Sequence, residues 1–479
     1  MHLRLNLRIL AALAALMTTF LLLPAGLAII LGESPAPFLS ALAVSAGLVL
    51  AFFLPSRGAP RALSTRDGFI VVTSGWIVAS AISALPFVFA GALAPTDAWF
   101  EAVSGITTTG STVITDIEAL PQSLLFWRSF TQWIGGMGII LFTIAILPPA
   151  RCRRHATLQG RGPGARGGQD RAAAGRHGTL SLVHLRRPDT GRSHGAEVGR
   201  HAPSRSLRPC LHDPRHGGLL SPRNASIAAY ASPYLRAVII VFMFMAGMNF
   251  VLHFKVVSGR GREVLRDPEF RWYITLTLVF FLPTWIGLAA HGAPLLRAGE
   301  DALFTVVSLM TTTGYATADY ELWPVGMQGP IVLLLILGGM AGSTGGGVKT
   351  LRTLLAFRGL RSSFRRMESP HAVRPVTYHG RAVPPEVMAA VWGFFAAYLT
   401  LAAIGSLILN AGGIDLVTSW SAALTALGNV GPGLAGVGPT DHFAWLSAYD
   451  KLVLSFLMLC GRLELYTVLL VFSPGFWRR

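Results

Sequence analysis

Long apolar runs separated by short basic loops set the pattern of this chain, with runs at 9–32, 38–55, 68–92, 124–147, 234–254, 271–291, 328–341, 387–411 and 445–472. A helix needs about 20 apolar residues to cross a bilayer, so the pattern predicts an all-α integral membrane protein. Between the full-length runs lie shorter apolar stretches of about three turns that end in small polar residues, too short to span. Composition agrees: 52% of the 479 residues are hydrophobic and 13% charged, with a mean hydropathy of +0.53, too apolar for a set of soluble domains. Arg4 and Arg8 ahead of the first run also fit a signal peptide, but the run exceeds an ordinary signal core and no soluble domain follows it.

Charge changes the picture less than its size suggests. A net charge of +17 would point to nucleic acid in a soluble protein. Here Arg57, Arg61 and Arg66 share one inter-span loop, Lys255, Arg260, Arg262 and Arg266 another, and Arg352, Arg358, Arg361, Arg365 and Arg366 a third. Basic residues gathered in short loops mark the cytoplasmic side of a membrane protein, so no nucleic-acid partner is expected and both termini are placed in the cytoplasm. Trp127, Trp133, Trp272 and Trp477 near span ends read as interfacial anchors. Cys152, Cys210 and Cys460 give neither a disulfide framework nor a metal spacing.

One short segment recurs. Asp97–Gly110 (DAWFEAVSGITTTG) aligns without gaps on Asp301–Gly314 (DALFTVVSLMTTTG), identical at Asp, Ala, Phe, Val, Ser and the closing Thr-Thr-Thr-Gly. Thr418–Gly431 fits the same frame, with Trp420 opposite Trp99 and the final glycine kept. A single copy reads equally well as a polar break between helices; three in register point to span, re-entrant helix, loop and span. Non-helical backbone at membrane depth is tolerated where it is buried in protein or lines a cavity. A dehydrated cation needs several oxygen dipoles in place of its water, and backbone carbonyls supply them. Gly110, Gly314 and Gly431 are then the pivots, and Thr107, Thr108, Thr109, Thr311, Thr312, Thr313, Asn429 and Val430 the neighbouring carbonyl donors. No clustered His, Cys or carboxylate set speaks for an enzyme.

These residues resemble the Trk/Ktr/HKT superfamily, and within it the bacterial TrkH/TrkG membrane-subunit branch. The resemblance is carried by TTTGST (107–112), QWIGGMGI (132–139), FMFMAGMNFVLHF (242–254), TTTGYAT (311–317), GGMAGSTGGGVKT (338–350), GNVGPG (428–433) and GRLELYTVLL (461–470). It implies four pseudo-symmetric span–pore loop–span units around one pore, at 67–149, 150–256, 267–366 and 384–479, preceded by two extra spans within 1–58. It implies potassium uptake, Gly110 favouring potassium over sodium, with coupling to Na+ or H+ left open. It further implies a homodimer in the bacterial cytoplasmic membrane and regulation by a cytoplasmic nucleotide-binding ring subunit.

Gly338–Thr350 carries six glycines, which cannot hold a regular helix well. The resemblance makes this stretch an intramembrane gate beneath the filter, with Gly342, Gly345, Gly346, Gly347 and Lys349 as its elements. A phosphate-binding loop is excluded, since Val348 stands between the last glycine and the lysine. Arg462 and Glu464 fall inside the last apolar run, where charge is costly. They read either as a local ion pair or, by the resemblance, with Arg462 as a fixed positive charge beside the pore.

Between 151 and 220 the chain changes character, with 14 Arg, no Lys, seven of the 13 His and four acids. The second unit's first span and filter belong here and are not visible. As a cytoplasmic loop this stretch would invert the sidedness of everything after it. Codons read one nucleotide later permit GVGGMQLYKAEVPGP over 151–166 and LWYIYAGLTL over 181–190, strings of the kind the resemblance implies. Gly217 and Gly218 would overlie the lost filter glycines. The sequence therefore carries a hypothesis: a frameshift over about 149–221, which resequencing tests. Its alternative outcome is a non-conducting product with an incomplete pore.

Overall fold

A computed structural model describes residues 2–58, 64–138, 226–229, 232–369 and 375–478. The Arg-rich stretch, and with it the frameshift hypothesis, Gly217 and Gly218, lies outside the described residues. Among those described, five helices are long and apolar enough to cross a membrane: Leu3–Ile30, Ala36–Ser56, Arg66–Phe89, Pro268–Ala290 and Pro385–Ala411. Large apolar side chains such as Ile30, Ile286 and Leu407 sit exposed on their outer faces. Such faces suit hydrocarbon, in which every backbone polar group must be satisfied within the helix.

The first span is fastened at its start to the third span, and the turn that follows it to the helix after the first pore loop. Ser64 and Asp67 form a capping box that starts the helix Thr65–Phe89, satisfying amides that a helix start leaves orphaned. Asp67 also accepts from the His2 amide and the Asn6 side chain. At the opposite end Glu33 accepts from the amides of Gln122 and Ser123, the first of a helical stretch over 122–138. A carboxylate is stabilised against that positive end of the helix dipole.

Three apolar runs are not the straight spans that hydropathy predicts. The run 234–254 divides into Pro233–Ala246 and Phe250–Val257, bent by 108°, and the run 445–472 into Ala448–Arg462 and Tyr466–Phe472, bent by 118°. At the first corner a methyl on Gly247 would lie 2.5 Å from the Tyr273 hydroxyl, and Asn249 caps the next helix through the Val251 amide. At the second, Glu464 takes a left-handed φ of 59°. The run 328–341 is helical over Gln328–Ile336 alone, after which Leu337 bridges to Val348. Trp127 is not an interfacial anchor: it is fully buried and its indole donates to the Ser83 carbonyl at 3.0 Å.

The helices that carry the repeat, Pro95–Ile106, Leu295–Met310 and Leu416–Gly428, have 12, 16 and 13 residues and are too short to span. The second exceeds the expected three turns by about one turn. Phe100 and Phe304, which share a repeat position, are both fully buried.

Candidate functional site

All three short helices end in the same way. Thr108, Thr312 and Asn429 have φ of 56°, 55° and 54°, and two residues later Gly110, Gly314 and Gly431 have φ of 92°, 74° and 107°. The amides of Thr108 and Thr109 return to Gly105 and Ser104 at 3.0 and 2.9 Å, those of Thr312 and Thr313 to Leu309 and Ser308 at 3.0 and 2.8 Å, and those of Asn429 and Val430 to Ala426 and Thr425 at 3.2 and 3.0 Å. This paired closure around a left-handed residue ends many helices, usually with glycine there. A left-handed residue with a side chain costs about 1–2 kcal/mol, and such strain persists where the surroundings hold it. The sequence expectation names the glycines, and no signal in the sequence points to the left-handed residue two positions earlier.

Side-chain hydroxyls lock the turns. Thr107 donates to the Val103 carbonyl at 2.7 Å and its hydroxyl meets that of Thr109 at 2.7 Å. Thr311 and Thr313 repeat the arrangement at 2.7 and 2.8 Å. Ser104, Ser308 and Thr425, all at one repeat position, donate seven residues ahead to the carbonyls of Ser111, Tyr315 and Pro432 at 2.6, 2.6 and 2.9 Å. Their signal was the serine identity in the ungapped alignment.

The loops come together through their backbones. A methyl on Gly314 would stand 2.2 Å from the Val430 carbonyl oxygen, and one on Gly431 would stand 2.6 Å from that of Thr109. Ser111 donates to the Gly431 carbonyl at 3.0 Å, and the Asn429 amide group to the Thr109 hydroxyl at 3.0 Å. Residues 107–110, 311–314 and 429–431 are all buried. Glu101 braces the first loop: it accepts from Arg128 Nε at 2.6 Å and from the Thr112 hydroxyl and Val113 amide, each at 3.0 Å.

The Gly-rich stretch is non-helical and lies against the third and fourth loops. The Gly346 amide donates to the Thr312 hydroxyl at 2.8 Å. A methyl on Gly346 would stand 2.3 Å from the Gly428 carbonyl oxygen, and one on Gly345 would stand 3.2 Å from that of Thr311. Gly342 and Gly347 have φ of 79° and 61°, and Lys349 donates to the Gly345 carbonyl. Arg462 does not pair with Glu464. It donates to the Thr344 carbonyl at 2.8 Å and toward that of Gly135 at 3.3 Å, while Glu464 pairs with Arg352. No cluster of three or more metal-ligating side chains is present among the described residues.

Helices long and apolar enough to span, joined to short helices whose terminal loops meet, define a polytopic membrane protein of the transport class. The chain belongs to the TrkH family of cation transport proteins, whose family pattern matches residues 40–160 and 293–478. It is 34% identical over 500 residues to the Trk system potassium uptake protein TrkH of Salmonella typhimurium, and 34% over 504 residues to that of Escherichia coli K12, covering 100% of both chains in each case. The crystal structure of the potassium transporter TrkH from Vibrio parahaemolyticus is similar along 100% of both chains, with a TM-score of 0.88 at 33% identity.

Proposed function

We propose that this chain forms the ion path of a potassium uptake system in the bacterial cytoplasmic membrane, with both termini in the cytoplasm. The carbonyls of Thr107–Gly110, Thr311–Gly314 and Asn429–Gly431 form three quarters of a selectivity filter within the four-unit plan. The observation that carries this reading is the interlock of those loops, glycine against carbonyl, at Gly314–Val430 and Gly431–Thr109. Left-handed residues two apart turn neighbouring carbonyls toward one axis, where they replace the water around a dehydrated cation. The names of the relatives make potassium the cargo, with Na+ or H+ as candidate coupling ions.

Gly342, Gly345, Gly346, Gly347 and Lys349 belong to a gate seated under the third and fourth loops. Arg462 holds it through Thr344 and places a fixed positive charge beside the path. Relatives named as parts of a Trk system support a multi-component assembly, in which a cytoplasmic nucleotide-binding ring regulates a homodimer of this chain. The missing quarter of the filter is assigned to a frameshift over 149–221.

Rubidium uptake by a potassium-uptake-deficient strain that expresses the chain tests the reading. Uptake displaced by potassium and not by sodium is the expected result, and equal displacement by sodium overturns the selectivity assignment. The encoded sequence is run beside a frame-restored one. Uptake by the restored form alone supports the lesion, and equal uptake by both refutes it.

A further inference from the structure

Glu269 reaches the Gly-rich stretch from a different element, and nothing in the filter or gate assignment uses it. It is the second residue of the span Pro268–Ala290, capped by Asp267, whose carboxylate accepts from the Glu269 and Phe270 amides at 2.9 and 3.1 Å. Acidic residues are ordinary in a first helical turn, but this one turns inward and is 3% exposed. Its carboxylate accepts the Ala341 amide at 2.6 Å, in the middle of the Gly-rich stretch. Neighbouring holds on that stretch are neutral: the Met340 amide on the Gly247 carbonyl at 2.8 Å, and the Gly342 carbonyl under the Phe250 amide at 3.2 Å.

On its other side Asp267 faces an exposed hairpin, with His379 Nε2 3.5 Å from its carboxylate. The hairpin pairs Thr377–Tyr378 with Arg381–Ala382, and Arg358 also donates to it, at the Thr377 carbonyl. Asp267–Pro268–Glu269 is therefore a rigid three-residue bridge between a surface hairpin and the loop.

We propose that Glu269 is a positioning residue that holds the Gly-rich loop in its seat beneath the filter, and that the 377–382 hairpin is the surface from which this hold is released. The inference rests on the gate reading given above and deepens it. A charge-assisted hydrogen bond on a buried amide is among the stronger single contacts available to the loop, whose other charged hold from outside is Arg462 on the Thr344 carbonyl. With the hold removed, the loop leaves its seat more often. Loss of one such bond shifts the seated-to-released ratio by about tenfold or more.

The test places a thiol in the loop. Ser343 is suited to it, because its hydroxyl is buried without a hydrogen-bond partner, so Ser343→Cys changes little else. The full chain carrying Ser343→Cys is treated in membranes with a water-soluble thiol reagent, and labelling of the parent chain is subtracted. Glu269→Ala is expected to raise the labelling rate about tenfold, in line with that ratio. Glu269→Gln, which keeps the shape and loses the charge, is expected to give a smaller rise, as is His379→Ala.

An unchanged rate in Glu269→Ala, with the protein at its normal membrane level, overturns the proposal. Should that variant fail to accumulate, an unchanged rate in Glu269→Gln does the same. Rubidium flux is recorded alongside. Faster labelling with faster flux supports both the hold and the gate, whereas faster labelling with unaltered flux keeps the hold and overturns the gate reading.

Discussion

The first and third pore loops carry the same Thr-Thr-Thr-Gly and close through the same hydrogen bonds, yet they stand in different surroundings. Position five of the repeat is Glu101 in one, paired with the buried Arg128, and Thr305 in the other, whose buried hydroxyl has no hydrogen-bond partner. Beyond each loop runs an Asp-x-Glu turn in which the aspartate accepts the glutamate amide at 3.0 Å, Asp116 with Glu118 and Asp319 with Glu321. Glu118 is exposed and Glu321 half-buried. Beneath the third loop alone, Thr312 takes the Gly346 amide. Loop shape is thus written locally and twice, while support is written once for each loop. The first is braced from the side by charge, and the third by the Gly-rich stretch.

The largest effect should come from the glycines. Gly314→Ala combines a left-handed φ of 74° with a methyl 2.2 Å from the Val430 carbonyl oxygen, and a neighbouring loop's backbone has nowhere to go. Rubidium uptake by this variant is expected to vanish. Gly110→Ala, at a left-handed φ of 92°, carries strain of about 1–2 kcal/mol and is expected to lower uptake. Wild-type uptake in Gly314→Ala would break the filter assignment.

Next in size is the contrast at position five. Glu101→Ala leaves Arg128 buried without its carboxylate, which costs about 3–5 kcal/mol. Thr305→Val removes a hydroxyl that has no partner and should change stability by less than about 1 kcal/mol, or improve it. Thermal unfolding in detergent reads both. Equal losses would mean that the two loops are supported alike after all. Smaller still, Ser308→Ala removes a buried bond to the Tyr315 carbonyl and Ser104→Ala removes two, to the Ser111 carbonyl and from the Gly110 amide, so losses of about 1–2 kcal/mol for the first and up to about twice that for the second are expected. A mismatch well beyond that range would show that the repeat is one of sequence and not of energetics.

The repeat was legible in sequence because its chemistry allows few residue types: glycine where φ is positive, and short hydroxyl side chains that bond back to the helix. Even so, the hydroxyls of Ser104 and Ser308 went unused, since alignment shows identity and not what an oxygen touches. Hydropathy found the apolar runs but not the corners at Gly247 and Glu464, because apolar content is indifferent to a bend. Trp127 was misplaced on the strength of its position near a span end, while the Ser83 carbonyl that receives its indole lies 44 residues away in the chain. Glu101 and Glu269 gave no signal at all. An acid in a short helix or a first turn is ordinary until the fold brings Arg128 or Ala341 to it.

The last contrast concerns the two Asp-x-Glu turns and is the finest. Burial, then Asp441 and then Asp319, pushes the Glu321 carboxyl up from 4.5 to about 7. Each of these disfavours the charged form, so the folded protein keeps a proton that the unfolded chain releases near 4.5. The stability this group contributes is complete below that value and is lost as pH rises through about 7. For transport the sign is opposite, because above about pH 7 a negative charge appears in the turn that follows the third loop, against Gly438, and draws cations to that side of the molecule. At sub-saturating rubidium, initial uptake should rise on the order of twofold between about pH 6 and pH 8, the scale of one unit charge acting through water. Glu321→Gln should flatten that rise and Glu118→Gln leave it intact. A profile that survives Glu321→Gln unchanged would place the pH dependence elsewhere and leave the two turns functionally alike.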